Sequence, residues 1–430
     1  YSSLRLPACI GQVRLFLLGQ SHEVFAQHGY GEVETWQPVA APARRRKMYF
    51  DGHETLAVLI ASPSDLDDLI PLVLALQIEW NKIHALLNQP HAEHAGDGPI
   101  DQLDLAFEDR ARLRLVWGAQ LEERLTSIRQ QRKRFAVRML GGSLMAYQRA
   151  TLRWWWNIEQ SVSAALSERP VYFVSSNTHS LVNLLSGFAL RHSEELLDFC
   201  RKHEDTSLLD EYRKIMDTEV PSSRENFLYY VLKKYQSDPA SAPLFARREQ
   251  DERACGIERV PSRFYLDVDA QVIELSKLRP EWLDPRLRVE GIERLAHSDA
   301  MLVNIDYPLG LAAYQILTIV ARSVGSLRGV YVLGKAATLN GKIGDVLIPI
   351  IVYDDHTGNT YYFAPAFRAL DVEPYLTYGA VLDNQKAVTV RGTFLQNRAF
   401  LEERYRQFFT DLEMEAGPYL SAIYEQCNPD

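Results

Sequence analysis

The 430-residue sequence has only four cysteines, Cys9, Cys200, Cys255 and Cys427, far apart and without a CxxC pair. That argues against a disulfide scaffold and excludes a cysteine zinc knuckle; a reducing, cytoplasmic setting is expected. No apolar run reaches the roughly 20 residues of a membrane span. The longest, such as Leu69–Ile78, are broken by Pro71 and Gln77. No signal peptide is visible, and no repeat of fixed period stands out. Basic charge is also in short supply. Lys and Arg number 47 against 56 Asp and Glu, a formal net charge of -9. Bulk electrostatic binding to nucleic acid is therefore not expected. What remains is ordinary: 47% hydrophobic and 24% charged residues, a globular composition on a chain long enough for two domains.

The first half reads as helix-rich with strand-turn-helix units. Leu56–Ala61 is a short apolar run, expected as a buried strand, broken by Ser62-Pro63-Ser64. Ser64 with Asp67 has the spacing of a helix cap, and Leu66, Leu69, Ile70, Val73 and Leu74 follow at helical intervals. His91, His94 and Asp97 have metal-ligand chemistry but lie in a polar loop that fixes no spacing, so no metal site is assigned. From Leu103 to about Ser167 the pattern is helical. Its basic stretch, Arg124 to Arg138, reads as a solvated face, and Arg44-Arg45-Arg46-Lys47 as a surface loop. Trp154-Trp155-Trp156 cannot share one helix face, which predicts a packing junction. A second unit follows: strand Pro170–Val174, a Ser/Thr-rich turn containing His179, and a helix from Leu181 to Leu197. Such a turn either offers N–H groups to an anion or merely caps the helix. Gln236–Pro243 reads as a linker, dividing a region 1–250 from a domain 255–430.

Beyond Met301 the rhythm alternates strand and helix. Strands are expected at Met301–Asp306, Gly329–Gly334, Asp345–Tyr353, Ala387–Thr393 and Leu412–Met414, with helices at Leu311–Val324 and Gly417–Tyr424. The first two strands are expected to run parallel through a right-handed crossover. Ligands collect at the C-terminal ends of such strands. Here those ends carry Tyr307-Pro308, Lys335, Asp354-Asp355-His356, Thr393 and Glu415.

These residues also carry a resemblance. Gly334-Lys-Ala-Ala-Thr-Leu-Asn-Gly-Lys-Ile-Gly-Asp-Val-Leu-Ile-Pro349 resembles a central stretch of the nucleoside phosphorylase and nucleosidase superfamily. Glu413-Met414-Glu415 before a small-residue helix resembles its Met-Glu ribose motif. Asn304-Ile305 together with Tyr353-Asp-Asp-His356 is nearest the AMP nucleosidase branch. Val388-Thr-Val-Arg-Gly-Thr393 lies where that family has its glycine-bearing strand. The likeness spans about Met301 to Glu425.

The resemblance implies an α/β fold: a nucleoside-phosphorylase-like mixed sheet flanked by helices. It implies N-glycosidic cleavage of a nucleoside or nucleotide, with hydrolysis favoured over phosphorolysis, no cofactor, and a homo-oligomer. Glu415, Met414, Thr393, Lys335 and Tyr307 are the implied substrate contacts, and Lys335, Arg391 and His179 the candidates for a phosphate. Asp345 would hold its turn rather than touch substrate. The sequence also departs from the family. Ala336-Ala337-Thr338 stand where small glycines are usual, Lys335 replaces a hydroxyl or imidazole, and no Gly-rich phosphate loop is identifiable. The catalytic Asp expected on the strand after the Met-Glu helix is not found by Asp430, so no catalytic residue is assigned. A shortened domain, a substitute elsewhere or a lost activity would each account for that. The alternative is a nucleotide-binding or structural protein that keeps the fold without the reaction.

Overall fold

The computed structural model describes residues 2–89, 100, 103, 105–162, 165–203, 205–218, 223–262, 266–393 and 397–427; the His91, His94 and Asp97 loop lies outside them. The chain divides into two compact units. The first is Tyr1–Thr151 with Phe264–Asp267 and Arg391–Gln396; the second is Leu152–Arg263, Val268–Val390 and Asn397–Asp430. The division thus falls within the helix Leu144–Ser161.

The first unit is built on a five-stranded mixed sheet. Its strands are β1 (Leu15–Gly19), β2 (Gln37–Ala41), β3 (Arg44–Phe50), β4 (Thr55–Leu59) and β5 (Ala136–Met139), in the order β2-β3-β4-β1-β5. β4, β1 and β5 are parallel, while β2 and β3 are antiparallel additions. The apolar run at Leu56 forms the buried strand expected, and the helix Pro63–Leu87 follows it. The helix starts one step before the expected cap. Pro63 takes the first helical position, so Ser62 and Asp65 form the capping box, not Ser64 and Asp67. Leu69 and Val73 then pack on Phe16, Leu18, Leu56 and Val58.

Two basic stretches differ from expectation. Arg44–Lys47 is not a loop but the start of β3. Strand alternation turns Arg44 and Arg46 inward with Met48 and Phe50, and leaves Lys47 outside. Within Arg124–Arg138 the chain leaves the helix Leu121–Gln130 and pairs as β5 along β1. Lys133 is buried there, donates to the Gly11 carbonyl and lies 5.0 Å from the Trp80 ring. Burial pushes its ammonium down to about 8. Exposed throughout, β5 has no apolar face to give it away; backbone pairing alone makes it a strand.

The inward arginines find carboxylates at the start of the long helix. Arg44 Nη1 donates to Asp68 Oδ2 (2.6 Å), and Arg46 Nε to Asp65 Oδ1 (2.8 Å). Arg5 adds a contact to Asp68 at 3.4 Å, and Arg46 Nη1 reaches the Leu266 carbonyl at 2.8 Å. Asp65 Oδ2 also accepts from Ala61 N and Ser62 N. Removing one member of such a network strands the others as buried charges. Asp68→Ala is expected to lower stability by about 3–5 kcal/mol in urea unfolding. A loss below about 1 kcal/mol would show the network to be idle.

The second unit holds two five-stranded mixed sheets. The first joins β6 (Pro170–Ser176), β7 (Ile257–Val260), β8 (Ala270–Glu274), β9 (Met301–Asp306) and β10 (Ser326–Val332) in the order β10-β6-β9-β8-β7. β9 and β10 point the same way, as expected from strand-helix-strand spacing, but β6 lies between them. The second contains β11 (Ala337–Thr338), β12 (Val346–Asp354), β13 (Thr360–Tyr362), β14 (Val381–Thr389) and β15 (Asp411–Glu413), in the order β11-β15-β14-β12-β13. β12, β14 and β15 run parallel. The strands of residues 301–425 therefore divide between two sheets, both mixed and flanked by helices.

Three local features follow from the sequence. The helix expected from Leu181 to Leu197 is three short ones. It breaks at Gly187, whose φ is +54° and whose Cβ would stand 1.8 Å from the Trp282 carbonyl oxygen. Of the three tryptophans, Trp154 and Trp155 are buried and Trp156 is exposed; Trp154 Nε1 donates to the Val268 carbonyl at 2.7 Å. Residues 236–243 are not extended. They form two short turns and the start of the helix Ala242–Ala254, with Ser241 fully buried.

Candidate functional site

The Met-Glu segment sits where β15 gives way to the helix Ala416–Cys427. Glu413 ends the strand with its carboxyl group buried against the helix start. Glu413 Oε2 accepts from Glu415 N (2.6 Å) and Ala416 N (2.5 Å), and Oε1 accepts from the Thr389 hydroxyl at the end of β14. Gly417 N donates back to Thr389 Oγ1 at 2.8 Å. A Cβ on Gly417 would stand 2.7 Å from Asp354 Cβ, so glycine lets the helix enter against β12. Burial pushes Glu413 up to about 8. Burial also acts on Asp354, yet His356, through its ring and backbone N–H, and the Thr357 hydroxyl hold that carboxylate below its usual range.

Glu415, the next residue but one, faces the other sheet. Its Oε1 accepts from Gly310 N at 3.1 Å, in the turn that leaves β9 through Tyr307-Pro308. Met414 is buried and Tyr307 is half-buried. The helix Ala416–Cys427 packs on the helix Ala312–Ser323, which fixes both strand ends together. The structure therefore joins Glu415 to the Tyr307 turn, two of the elements the sequence picked out.

His179 ends the turn after β6. Asn177 Oδ1 organises that turn by accepting from His179 N (3.0 Å) and Ser180 N (2.7 Å). The following helix is only Ser180–Ser186, and the capping side chain is an asparagine, not a serine. Behind it lies a buried amide network. Ser176 Oγ donates to Asn304 Oδ1 (2.8 Å), Asn304 Nδ2 to Gln271 Oε1 (2.8 Å), and Arg259 Nη1 to the Thr178 carbonyl (3.1 Å). Burial and then Lys233 hold the His179 imidazole below its usual pKa; Arg259 and Lys335 add to this, while Asp306 opposes them. Lys335 is exposed just past β10. Thr393 and Arg391 belong to the first unit. There Thr393 donates through its hydroxyl to Asp68 Oδ1 and through its N–H to the same oxygen at 3.3 Å. Asp345 holds its turn as expected, accepting from Lys342 N (2.7 Å) and Ala380 N (2.9 Å).

Sequence reading passed over Glu413 and Thr389, the pair that orients Glu415. The signal was available: a Glu two residues before a second Glu, at a strand-to-helix junction, has the spacing of an N-terminal cap. It also passed over Asp411, 5% exposed with Oδ1 unpartnered, which burial pushes up to about 6. Both raised carboxyl groups have one consequence for pH. Folded, they hold protons that the unfolded chain releases near pH 4. The stability they add is complete below about pH 4. It is lost as pH rises through about 6 for Asp411 and about 8 for Glu413. Asp411 alone accounts for a fall on the order of 3 kcal/mol. Denaturant unfolding from pH 4 to pH 8 is expected to show this decline, and Asp411→Asn to flatten its lower part. An unchanged slope in that variant would assign the decline elsewhere.

The chain belongs to a family described as a family of unknown function (DUF6909), whose model matches residues 1–430. No curated protein matches it. Among solved structures it is similar to 5′-methylthioadenosine/S-adenosylhomocysteine nucleosidases. The Neisseria meningitidis protein shares 16% identity over 42% of this chain and 74% of that one, with a TM-score of 0.28. The Helicobacter pylori protein shares 10% over 60% and 80%, with a TM-score of 0.28. The Campylobacter jejuni protein shares 12% over 60% and 80%, with a TM-score of 0.30.

Proposed function

We propose that the second unit binds a nucleoside or nucleotide and cleaves its N-glycosidic bond by hydrolysis. The observation that carries this reading is the place of Glu415. Its carboxylate stands between the end of β15 and the turn after β9, oriented by Glu413 and Gly310 N. A carboxylate at such a junction can accept hydrogen bonds from sugar hydroxyls and favour the positive charge that grows on a ribose as its bond to the base breaks. Met414 precedes it in the chain, and Tyr307 opens the turn that carries Gly310. Lys335 and His179, with Lys233 and Arg259 nearby, supply a cationic neighbourhood for a 5′-phosphate.

The test is an assay of free base from a panel of nucleosides and nucleotides, with binding measured in parallel. Glu415→Gln is expected to weaken nucleoside binding or turnover about ten- to a hundred-fold, the worth of one charge-assisted hydrogen bond. Lys335→Ala is expected to harm nucleotides more than free nucleosides. Binding without release of base would replace hydrolysis by the nucleotide-sensing alternative. Unchanged binding and turnover in Glu415→Gln would end both.

A homo-oligomer is part of the same proposal. Leu333, Ile343, Phe367, Leu370, Tyr375 and Tyr378 are each more than half exposed. A Cβ on Gly344 would meet the Tyr378 ring at 2.6 Å, which sets Tyr378 beside Ile343, and the Phe367 ring lies 5.8 Å from that of Tyr331. Apolar patches of this kind mark contact surfaces. Ile343→Glu with Leu370→Glu is expected to lower the mass found by sedimentation equilibrium. A wild-type protein already monomeric would remove the idea.

A further inference from the structure

On a chain with 56 acidic residues and a formal net charge of -9, the stretch between Glu123 and Glu159 has no Asp or Glu. It has seven arginines and one lysine. The lysine, Lys133, is buried, whereas Arg132, Arg134, Arg138 and Arg149 are exposed. Among the described residues no carboxylate pairs with these four; Arg138 donates instead to the Tyr30 hydroxyl at 2.7 Å. Ahead of β5 burial alternates: Lys133 and Phe135 turn inward, Arg132 and Arg134 outward. Arg132, Arg134 and Arg138 thus share the parity that sets side chains on one face of an extended chain.

This acid-free stretch contains the open edge of a sheet. β5 is the last strand in its order and pairs with β1 alone among the described strands. Ala136 N donates to the Arg14 carbonyl (2.7 Å) and Leu140 N to that of Leu18 (2.8 Å). Alternation along a parallel ladder turns the N–H and C=O groups of Val137 and Met139 the other way, to the open side. The Val137 and Met139 side chains are 43% and 47% exposed, and Leu144 and Met145 at the start of the next helix are 62% and 57% exposed. A Cβ on Gly142 would stand 2.0 Å from Met139 Cε, so strand and helix start form one apolar surface. Proteins cover or blunt such edges. Charge of one sign does so selectively. It sets arginine against arginine in a second copy of β5, and admits a strand of opposite charge.

We propose that β5 is the docking edge for an extended acidic peptide of a partner protein, which adds to the sheet of the first unit as a sixth strand. The peptide backbone answers the open groups of Val137 and Met139. Its alternate Asp or Glu side chains meet Arg132, Arg134 and Arg138, and the apolar ones between them cover Val137 and Met139. A nucleic acid or an anionic lipid surface would meet the arginines but not the alternating donors and acceptors of the edge. The surface is independent of Glu415 and stands whether or not the second unit cleaves nucleosides.

The experiment is a fluorescence-anisotropy titration of the full chain with a labelled octapeptide of alternating Glu and Val. An alternating Lys and Val octapeptide, the Glu-Val peptide N-methylated at every residue, oligouridylate and phosphatidylserine vesicles are measured in parallel. The wild-type chain is expected to bind the Glu-Val peptide in preference to all four. At ten times the dissociation constant, amide exchange in a fragment covering residues 135–140 is expected to slow about tenfold. Arg132→Glu with Arg134→Glu changes two exposed side chains, so it is expected to fold. It is expected to weaken the Glu-Val peptide about tenfold and to gain binding of the Lys-Val peptide. Val137→Pro removes one outward N–H and leaves the bonds to β1, a place where an edge strand tolerates proline, and is expected to weaken binding as well. No saturable binding of the Glu-Val peptide overturns the proposal. So does equal binding of the N-methylated peptide, which would show charge without strand pairing. Tighter binding of oligouridylate or of the vesicles than of the Glu-Val peptide overturns it too, by giving the surface a different occupant.

Discussion

The second unit is organised around one buried carboxyl group. Glu413 gathers the hydroxyl of Thr389 from β14 and the N–H groups of Glu415 and Ala416 from the helix start. Removing a carboxyl group from water is expensive, and its raised pKa is the measure of that. The expense is tolerated because the same group satisfies orphan donors that any buried helix start must satisfy somehow. Once Glu413 is fixed, the backbone at 415 is fixed. Only then does the Glu415 side chain point at Gly310 rather than along its own helix.

That arrangement explains why glycine and small residues follow. The helix Ala416–Cys427 must come within contact of Asp354 and Thr389, and Gly417 is where it does so. Tyr419, one turn further on, is fully buried against Phe173 of β6, with ring centroids 5.9 Å apart. One helix therefore reaches β12 and β14 on one side and β6 on the other. Two sheets that pair no strands with each other are held together through side chains, and the candidate site lies where they meet.

The legible part of the sequence was the apolar part. Leu56–Ala61, Pro170–Val174 and Met301–Asp306 announce themselves as strands because a continuous apolar run bounded by serine, asparagine or proline has few other uses. Met414-Glu415 and the Tyr307 turn were legible as chemistry at strand ends. What stayed hidden had no apolar signature. β5 is exposed along its length, so nothing in Ala136-Val137-Arg138-Met139 separates it from the helices on either side. Arg44 and Arg46 looked like surface because charge normally is. Yet Arg44, Arg46, Met48 and Phe50 alternate with period two, and that periodicity outweighs the charge once carboxylates wait opposite. Gly187 gave no warning either. Its break depends on the Trp282 carbonyl, nearly a hundred residues away, and no local pattern encodes that contact.

Both units obey the same geometric rule with different results. Parallel strands deliver their C-terminal turns to one edge, and each edge collects polar residues from distant parts of the sequence. In the second unit the collected groups mostly answer one another: Ser176 with Asn304, Asn304 with Gln271, Glu413 with Thr389, Glu415 with Gly310. A site built this way is rigid before its ligand arrives, which favours orientation of a reacting group. In the first unit the answer is ionic: Asp65 and Asp68 pair with Arg44 and Arg46, a network of buried charges rather than of amides and hydroxyls.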